Sequence, residues 1–402
     1  MKSDLPAAVT VDITAIAYGG DGVCRLPDGM ICFVPGTIPT EKVKIRITRR
    51  QRNFCRGEVL EVVVPAPERI VPPCPYFAAG GKMHCPGCTA LMMDYSAEVR
   101  WKSRQFSDFL LRRNLCEAEC IAPIFPSPLR LGTRNKLKLH IAGKGRYGYI
   151  AADNRTIIPI KRCLLAQNEI NRHLAENPVK EKSGTLTLRV TGNDGVICFT
   201  GKEDADGRIL TETLGSFGSF TVPAAGFFQT NIPVAEMLVK ECVGQIAASN
   251  CREMVELYCG TGIFSIAAAE KIPFLRCHGV EINAAGIECA KHNAILHNVS
   301  DRCTFTAGDA ASGIGKAGSL EGKVLLIDPP RTGVAPETLA AIITARPSLL
   351  IYISCGPDTL QRDLVKLCAD GFSVKYARAF DMFPATGHFE SLVILSRNGQ
   401  II

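Results

Sequence analysis

From about residue 233 onward the apolar pattern alternates between a helical and a strand period, and this alternation constrains the fold more than any other feature of the chain. A helix is expected over 233–248, a strand over 253–258, a helix over 263–271, a strand over 275–280 and a helix over 284–296. Strands at 303–306 and 323–327, a helix at 336–344, a strand at 349–354, a helix at 358–369 and strands near 373–380 and 391–396 complete the series. Strands and helices that alternate at this spacing build a parallel, doubly wound α/β sheet. Such a sheet binds its ligands beyond the carboxyl ends of its strands.

The first of these strands runs into Cys259-Gly260-Thr261-Gly262, where glycine lets the backbone turn sharply and approach a ligand. Glu281 ends the next strand, 21 residues after Gly260, where an acid can take ribose hydroxyls. Asp309, in Ala307-Gly308-Asp309-Ala310, follows the third strand and is a candidate for an adenine amino group. The turn lacks the third glycine of a dinucleotide-binding fingerprint, which argues against NAD or FAD. Glu256-Leu-Tyr-Cys-Gly-Thr-Gly, then Val280-Glu-Ile-Asn, then Gly308-Asp-Ala together resemble S-adenosylmethionine-dependent methyltransferases.

The first half of the chain reads differently. Five short β-rich runs between residues 8 and 63, split by Gly19-Gly20-Asp21-Gly22, Asp28-Gly29 and Pro35-Gly36, suggest a small barrel of the OB type. Pro65-Ala66-Pro67 reads as a linker, residues 97–113 as a helix and 130–225 as a β-rich α+β region. The net charge is only +7, but the cations are clustered. Residues 42–56 carry Lys42, Lys44, Arg46, Arg49, Arg50, Arg52 and Arg56 with no acid, and residues 130–146 carry Arg130, Arg134, Lys136, Lys138, Lys144 and Arg146. Two such blocks suit a polyanion, although a solvated sheet face would account for either alone. Of 18 cysteines most are expected to be small buried hydrophobes. Cys74, Cys85 and Cys88, in Pro73-Cys-Pro and His84-Cys-Pro-Gly-Cys, together with Cys163, have spacing that suits zinc or an iron–sulfur cluster. With no secretory pattern at its start and no apolar run long enough to cross a bilayer, the chain is expected in the cytoplasm, without a membrane partner.

Three segments follow or precede strands of the α/β region: Asp328-Pro329-Pro330-Arg331, Ser354-Cys355-Gly356-Pro357 and His388-Phe389-Glu390. Carbon 5 of uracil is too weak a nucleophile to take a methyl group unaided. A thiolate adding to carbon 6 turns the ring into an enolate with charge at carbon 5. A base must then remove the proton left on carbon 5 so that the thiolate can depart. Cys355 and Glu390 suit these two roles. Asp328-Pro-Pro-Arg, Ile353-Ser-Cys-Gly-Pro-Asp-Thr-Leu, Asp381-Met-Phe-Pro-Ala-Thr-Gly-His-Phe-Glu and Phe227-Phe-Gln-Thr-Asn resemble the signature motifs of the RNA 5-methyluridine methyltransferase family.

That resemblance, which spans essentially the whole chain, implies Cys355 as nucleophile and Glu390 as base. It implies that Gln229, Tyr258, Glu281, Asp309 and Asp328, with the Gly260 and Gly262 turn, line the S-adenosylmethionine and target-base pocket. Gly356 departs from the Asn of many relatives. Residues 4–64, with Ala17-Tyr-Gly-Gly-Asp-Gly and Phe33-Val-Pro-Gly, resemble a TRAM domain, an OB-like RNA-binding module that would use Arg49 and Arg50. Residues 65–226 would form the central domain, with Arg134 and Lys136 on RNA and a helix at 96–122 that could pack on the catalytic domain, 227–402. Relatives with this layout hold a [4Fe–4S] cluster, here assigned to Cys74, Cys85, Cys88 and Cys163. TRAM and cluster together favour 23S ribosomal RNA over transfer RNA, and a monomer is expected. Other readings fit less well. A cytosine-5 enzyme usually places its Cys after Pro, an amino-group methyltransferase needs no Cys355, and a radical methylthiotransferase needs Cys-x-x-x-Cys-x-x-Cys. A catalytically dead RNA-binding protein would have no use for an intact Asp328, Cys355 and Glu390.

Overall fold

The computed structural model describes residues 8–77, 84–143, 145–151, 153–177, 183–200 and 207–397. The first residues of 4–64, residues 78–83, Lys144 and the last residues of 227–402 lie outside the described residues. The chain divides into two compact units, each discontinuous in sequence, instead of three consecutive domains. One comprises Met1–Lys102, Leu129–Arg189 and Phe383–His388; the other comprises Ser103–Pro128, Val190–Met382 and Phe389–Ile402.

The first unit opens with a six-stranded sheet in the order Val9–Asp12, Lys42–Arg50, Cys55–Val64, Ile31–Val34, Gly22–Arg25, Ala15–Ile16. Lys42–Arg50 shows why it folds this way. Val43, Ile45 and Ile47 face inward and are buried, while Lys42, Lys44 and Arg46 face water between them, the two-residue period of a half-buried strand. Each such side chain contributes about 1.5–3 kcal/mol by leaving water. The first β-rich run is two strands, not one. It breaks at Ile13 and Thr14, where Ile13 N–H donates to Glu41 and Thr14 N–H to Val23, so each half pairs with a different neighbour. Cys24, Cys32 and Cys55 are fully buried in this core. The central part adds an antiparallel array of Ile157–Pro159, Tyr147–Ile150, Lys136–Ile141 and Thr185–Thr191 with the helix Asn168–Glu176. The sequence reading missed this helix, which buries only Ile170 and Leu174.

The second unit is built on an eight-stranded sheet in the order Cys303–Ala307, Arg276–Glu281, Glu253–Leu257, Val324–Ile327, Leu349–Ser354, Glu390–Arg397, Phe372–Phe380, Ile121–Phe125. The first five are mutually parallel, and Glu390–Arg397 runs antiparallel to both neighbours. From Glu253–Leu257 the chain proceeds outward on one side, then returns to build the other, so a switch point lies between Glu253–Leu257 and Val324–Ile327. Two elements escaped the sequence reading. Helix Ala310–Ala317 contains Gly313 and Gly315, which weaken its helical signal, and is started by Asp309 accepting from Ser312 N–H. Strand Ile121–Phe125 contains Pro123 and pairs in parallel with Phe372–Phe380 at the sheet edge, where proline is tolerated. That pairing draws 103–128 into the catalytic unit. The helix expected over 96–122 runs only Tyr95–Leu111, since the chain turns and enters this strand, and its Phe106 stacks edge-on against Phe389 there. Among the described residues no helix is long and apolar enough to cross a membrane.

Candidate active site

The cofactor cleft forms at the switch point. After Glu253–Leu257 the backbone turns through Tyr258, Gly260 and Gly262, all at positive φ (62°, 54° and 80°), before helix Ile263–Lys271 begins. Gly262 is doubly constrained, because a Cβ there would lie 2.7 Å from the Phe305 ring. A Cβ on Gly260 would meet nothing within 4 Å, so its backbone faces open space. Glu281 spans the turn: its carboxylate accepts from Gly260 N–H at 3.2 Å and from Asn283 N–H at 2.9 Å. The cleft has a volume of about 820 Å³ with its open mouth included. Gln229, Tyr258, Gly260, Glu281 and Asp328 line it.

Two expected cofactor residues do not line the cleft. Gly262 lies just behind it, shaping the turn. Asp309 borders a neighbouring groove with His278 and Lys316, and its Oδ1 caps Ala310–Ala317, which holds the carboxyl below the usual carboxylate range. A buried acid of the lining was not foreseen. Glu256 is 1% exposed, accepts from the N–H and hydroxyl of Ser265, and is pushed by burial up to about 8. A carboxylate inside the strand Met254-Val255-Glu256-Leu257 was the signal available in the sequence.

The candidate reacting groups come together through strand register. Ser354 sits opposite Ser391 in an antiparallel pair, so the next residue along one strand, Cys355, faces the preceding residue of the other, Glu390. Ile327 is level with Tyr352 on the parallel side, so Asp328 emerges at the same edge. Glu390 is 5% exposed, and its Oε1 has no hydrogen-bond partner among the described residues. Burial, then Asp328, raise its pKa well above the ordinary range, and Arg331 pulls the other way. Burial lifts Asp328 to about 7. Cys355, part exposed, is pushed up to about 11 by burial, then by Glu390 and Asp328, against the pull of Arg331. Arg331 is thus the cation of this cluster, present in the quoted Asp-Pro-Pro-Arg run but not given a role from sequence. Carboxylates crowded in a dry site keep their protons, so this constellation holds weak acids and latent bases at neutral pH.

In the first unit, Cys74, Cys88 and Cys163 pack around Leu91, Leu165 and Ala385. Burial raises the Cys85 and Cys88 thiols, neighbouring thiols of Cys74 and Cys163 push the same way, and Arg134 pulls them down. The four thiols therefore share one neighbourhood, and Arg134 is beside them. Yet among the described residues no group of three or more His, Cys, Asp or Glu side chains is arranged to hold a metal ion. In the barrel, acids on a neighbouring strand and on two turns neutralise part of the basic block: Arg46 pairs with Glu58, Arg50 with Asp28 and Arg56 with Asp21. Arg49 is exposed on the same strand, and Lys136 is half-buried on Lys136–Ile141.

A glycine-turned cleft at the switch point of a doubly wound sheet is where such a fold holds a nucleoside-bearing cofactor. Residues 313–398 match the family model described as tRNA (uracil-5-)-methyltransferase, and residues 7–60 match the TRAM domain. Residues 251–338 match a model for RNA cap guanine-N2 methyltransferase, which overlaps the cofactor-binding half. An uncharacterized RNA methyltransferase of Nitratidesulfovibrio vulgaris is 30% identical, over 96% of each chain. Another from Gloeobacter violaceus is 27% identical over 97% of this chain and 96% of its own. The Pyrococcus abyssi tRNA (uracil-54, C5)-methyltransferase in complex with S-adenosyl-L-homocysteine shares the fold, with TM-score 0.71 and 21% identity over 96% of this chain and 100% of that one. The chain belongs to the RNA (uracil-5-)-methyltransferase family. It is an S-adenosylmethionine-dependent enzyme acting on uracil carbon 5 in RNA, with an N-terminal TRAM domain.

Proposed function

We propose that methylation proceeds through a covalent bond from Cys355 to carbon 6 of the target uridine, with Glu390 removing the carbon 5 proton. The observation that carries this is the register that sets Cys355 across from buried Glu390, beside Asp328 of the cofactor cleft. S-adenosylmethionine held at Gln229, Tyr258, Gly260, Glu281 and Asp328, on the turn that Gly262 shapes, supplies a methyl group on a cationic sulfur. Asp309 lies in the adjoining groove, so we give it at most a contact to the far end of the nucleoside. Cys355 adds to carbon 6 as its thiolate, and carbon 5 of the enolate so formed takes the methyl group while the donor sulfur keeps the pair of the bond that breaks. Glu390, whose raised pKa makes it a stronger base than an exposed carboxylate, takes the carbon 5 proton as the Cys355–carbon 6 bond breaks. The target base must leave its stack to reach this site.

The four-cysteine neighbourhood supports a [4Fe–4S] cluster held by Cys74, Cys85, Cys88 and Cys163, since thiols that repel one another as thiolates are stabilised by a shared cationic centre. Zinc on the same thiols is the alternative, and an iron and sulfide assay on anaerobically prepared protein separates them. The pairing of TRAM with these cysteines favours 23S ribosomal RNA as substrate. Transfer RNA is the second reading, favoured by the substrate named for the Pyrococcus abyssi enzyme. Trapping with RNA containing 5-fluorouridine tests the chemistry, because fluorine on carbon 5 cannot leave as a proton. A denaturation-resistant adduct that requires S-adenosylmethionine and disappears in Cys355→Ala is expected. Turnover near that of the unaltered enzyme in Cys355→Ala would refute the covalent route.

A further inference from the structure

The segment Phe383–His388, which ends two residues before Glu390, is held along its length by three separate parts of the first unit. Lys102 Nζ donates to Phe383 O at 3.1 Å. Ala385 stands in the left-handed region, with φ of 64°, a strained conformation for a residue with a side chain. Its N–H donates to Glu98 Oε1 at 2.7 Å, and its carbonyl accepts from both Thr89 and Ala90 N–H at 3.1 Å. Glu98 and Lys102 are themselves fully buried and 2.8 Å apart. Gly387 forms an antiparallel bridge with Gly19 of the TRAM barrel, so close that a Cβ on Gly387 would lie 2.3 Å from the Gly19 carbonyl carbon. Tyr18 Oη is 3.0 Å from His388 Nδ1, and the two rings meet edge-on at 5.3 Å.

A strained alanine bonded on both sides and a glycine without room for one more carbon are features of a segment whose position is over-determined. The fold needs no such precision to connect two strands. We infer that the TRAM residues Tyr18 and Gly19, acting through Gly387 and His388, are positioning residues for the proton-abstracting step: they set the chain that delivers Glu390. The TRAM barrel then serves the chemistry as well as RNA affinity. This inference rests on Glu390 being the base. It predicts a defect confined to the step after methyl transfer, since neither residue belongs to the cofactor cleft.

The experiment uses the full-length enzyme, unmodified uridine RNA tritiated at carbon 5, and S-adenosylmethionine. It compares Tyr18→Phe, Gly387→Ala and Glu390→Gln. Displacing a catalytic group by an ångström costs up to about a hundredfold, so Gly387→Ala is expected to slow tritium release at least about tenfold. Tyr18→Phe, which loses one hydrogen bond but keeps the ring contact, is expected to slow it about fivefold. Both variants should accumulate the denaturation-resistant RNA–enzyme adduct, as Glu390→Gln does, while KM for RNA and affinity for S-adenosylmethionine stay within about twofold. If Glu390→Gln stalls as the adduct but Tyr18→Phe releases tritium at the parent rate, the positioning role is wrong. The same holds if Tyr18→Phe is slow without added adduct. If Glu390→Gln does not stall, the base assignment itself fails and the inference falls with it.

Discussion

Cys355 should be an unreactive thiol in the ligand-free enzyme. Its pKa of about 11, against an ordinary 9.0, leaves about one molecule in ten thousand as thiolate at pH 7, where an ordinary thiol leaves about one in a hundred. Alkylation by iodoacetamide follows the thiolate, so at neutral pH Cys355 should react up to about a hundredfold more slowly than a free thiol. The side chain is part exposed and solvent screening narrows this gap, so about tenfold is the smallest deficit expected. The causes make the prediction sharper. Burial comes first and Glu390 second, so Glu390→Gln should move the titration midpoint down, because it removes a carboxylate that repels the thiolate. Asp328 lines the cofactor cleft, so S-adenosylmethionine, with its cationic sulfur, should also lower the midpoint, whereas neutral-sulfur S-adenosylhomocysteine should not. The assay is mass spectrometry of the Cys355 peptide after timed alkylation from pH 6 to about pH 10.5, which separates this thiol from the other 17 of the chain's 18. A midpoint at or below that of a free thiol, or equal shifts from the two cofactor forms, would refute the reasoning.

Two further outcomes follow from buried and surface charge. Glu256 has a folded-state pKa of about 8, above its ordinary 4.5, so the folded protein binds a proton that the unfolded chain releases between these values. Stability should therefore be greatest near the acidic end of that window and fall as pH rises toward 8, by at most about 5 kcal/mol; thermal melts should show a flatter pH dependence for Glu256→Gln, and parallel slopes would count against it. On the barrel, Arg49→Ala should lower the slope of log affinity for RNA against log salt by about one, whereas Arg50→Ala, already paired with Asp28, should change it less; equal changes in a salt-titrated binding assay would contradict this.

Much of the catalytic unit was legible in the residue order because its signals are local. The helix Ala284–Leu296 and the strand Leu349–Ser354 fall at the expected positions, since an uninterrupted apolar period and clean caps decide such elements without help from the rest of the chain. The glycine turn was readable because a positive φ at Gly262 demands that residue type. Elements whose stability comes from neighbours were not readable. Ile121–Phe125 is a strand only because Phe372–Phe380 offers it an edge, and Ala310–Ala317 is a helix despite two glycines because Asp309 starts it and the sheet covers it. Charge behaved the same way. Arg50 looked like a free cation until the fold brought Asp28 across from a distant turn, and Asp309 has a second task, starting a helix, that its place in the chain did not reveal. Sequence alone thus named Cys355 and Glu390 as a chemical pair, since the reaction requires one thiol and one base. The antiparallel register that sets them face to face, and the burial that raises the proton affinity of Glu390 beside Asp328, came from tertiary structure, because both depend on which strands are neighbours and on how much water they exclude.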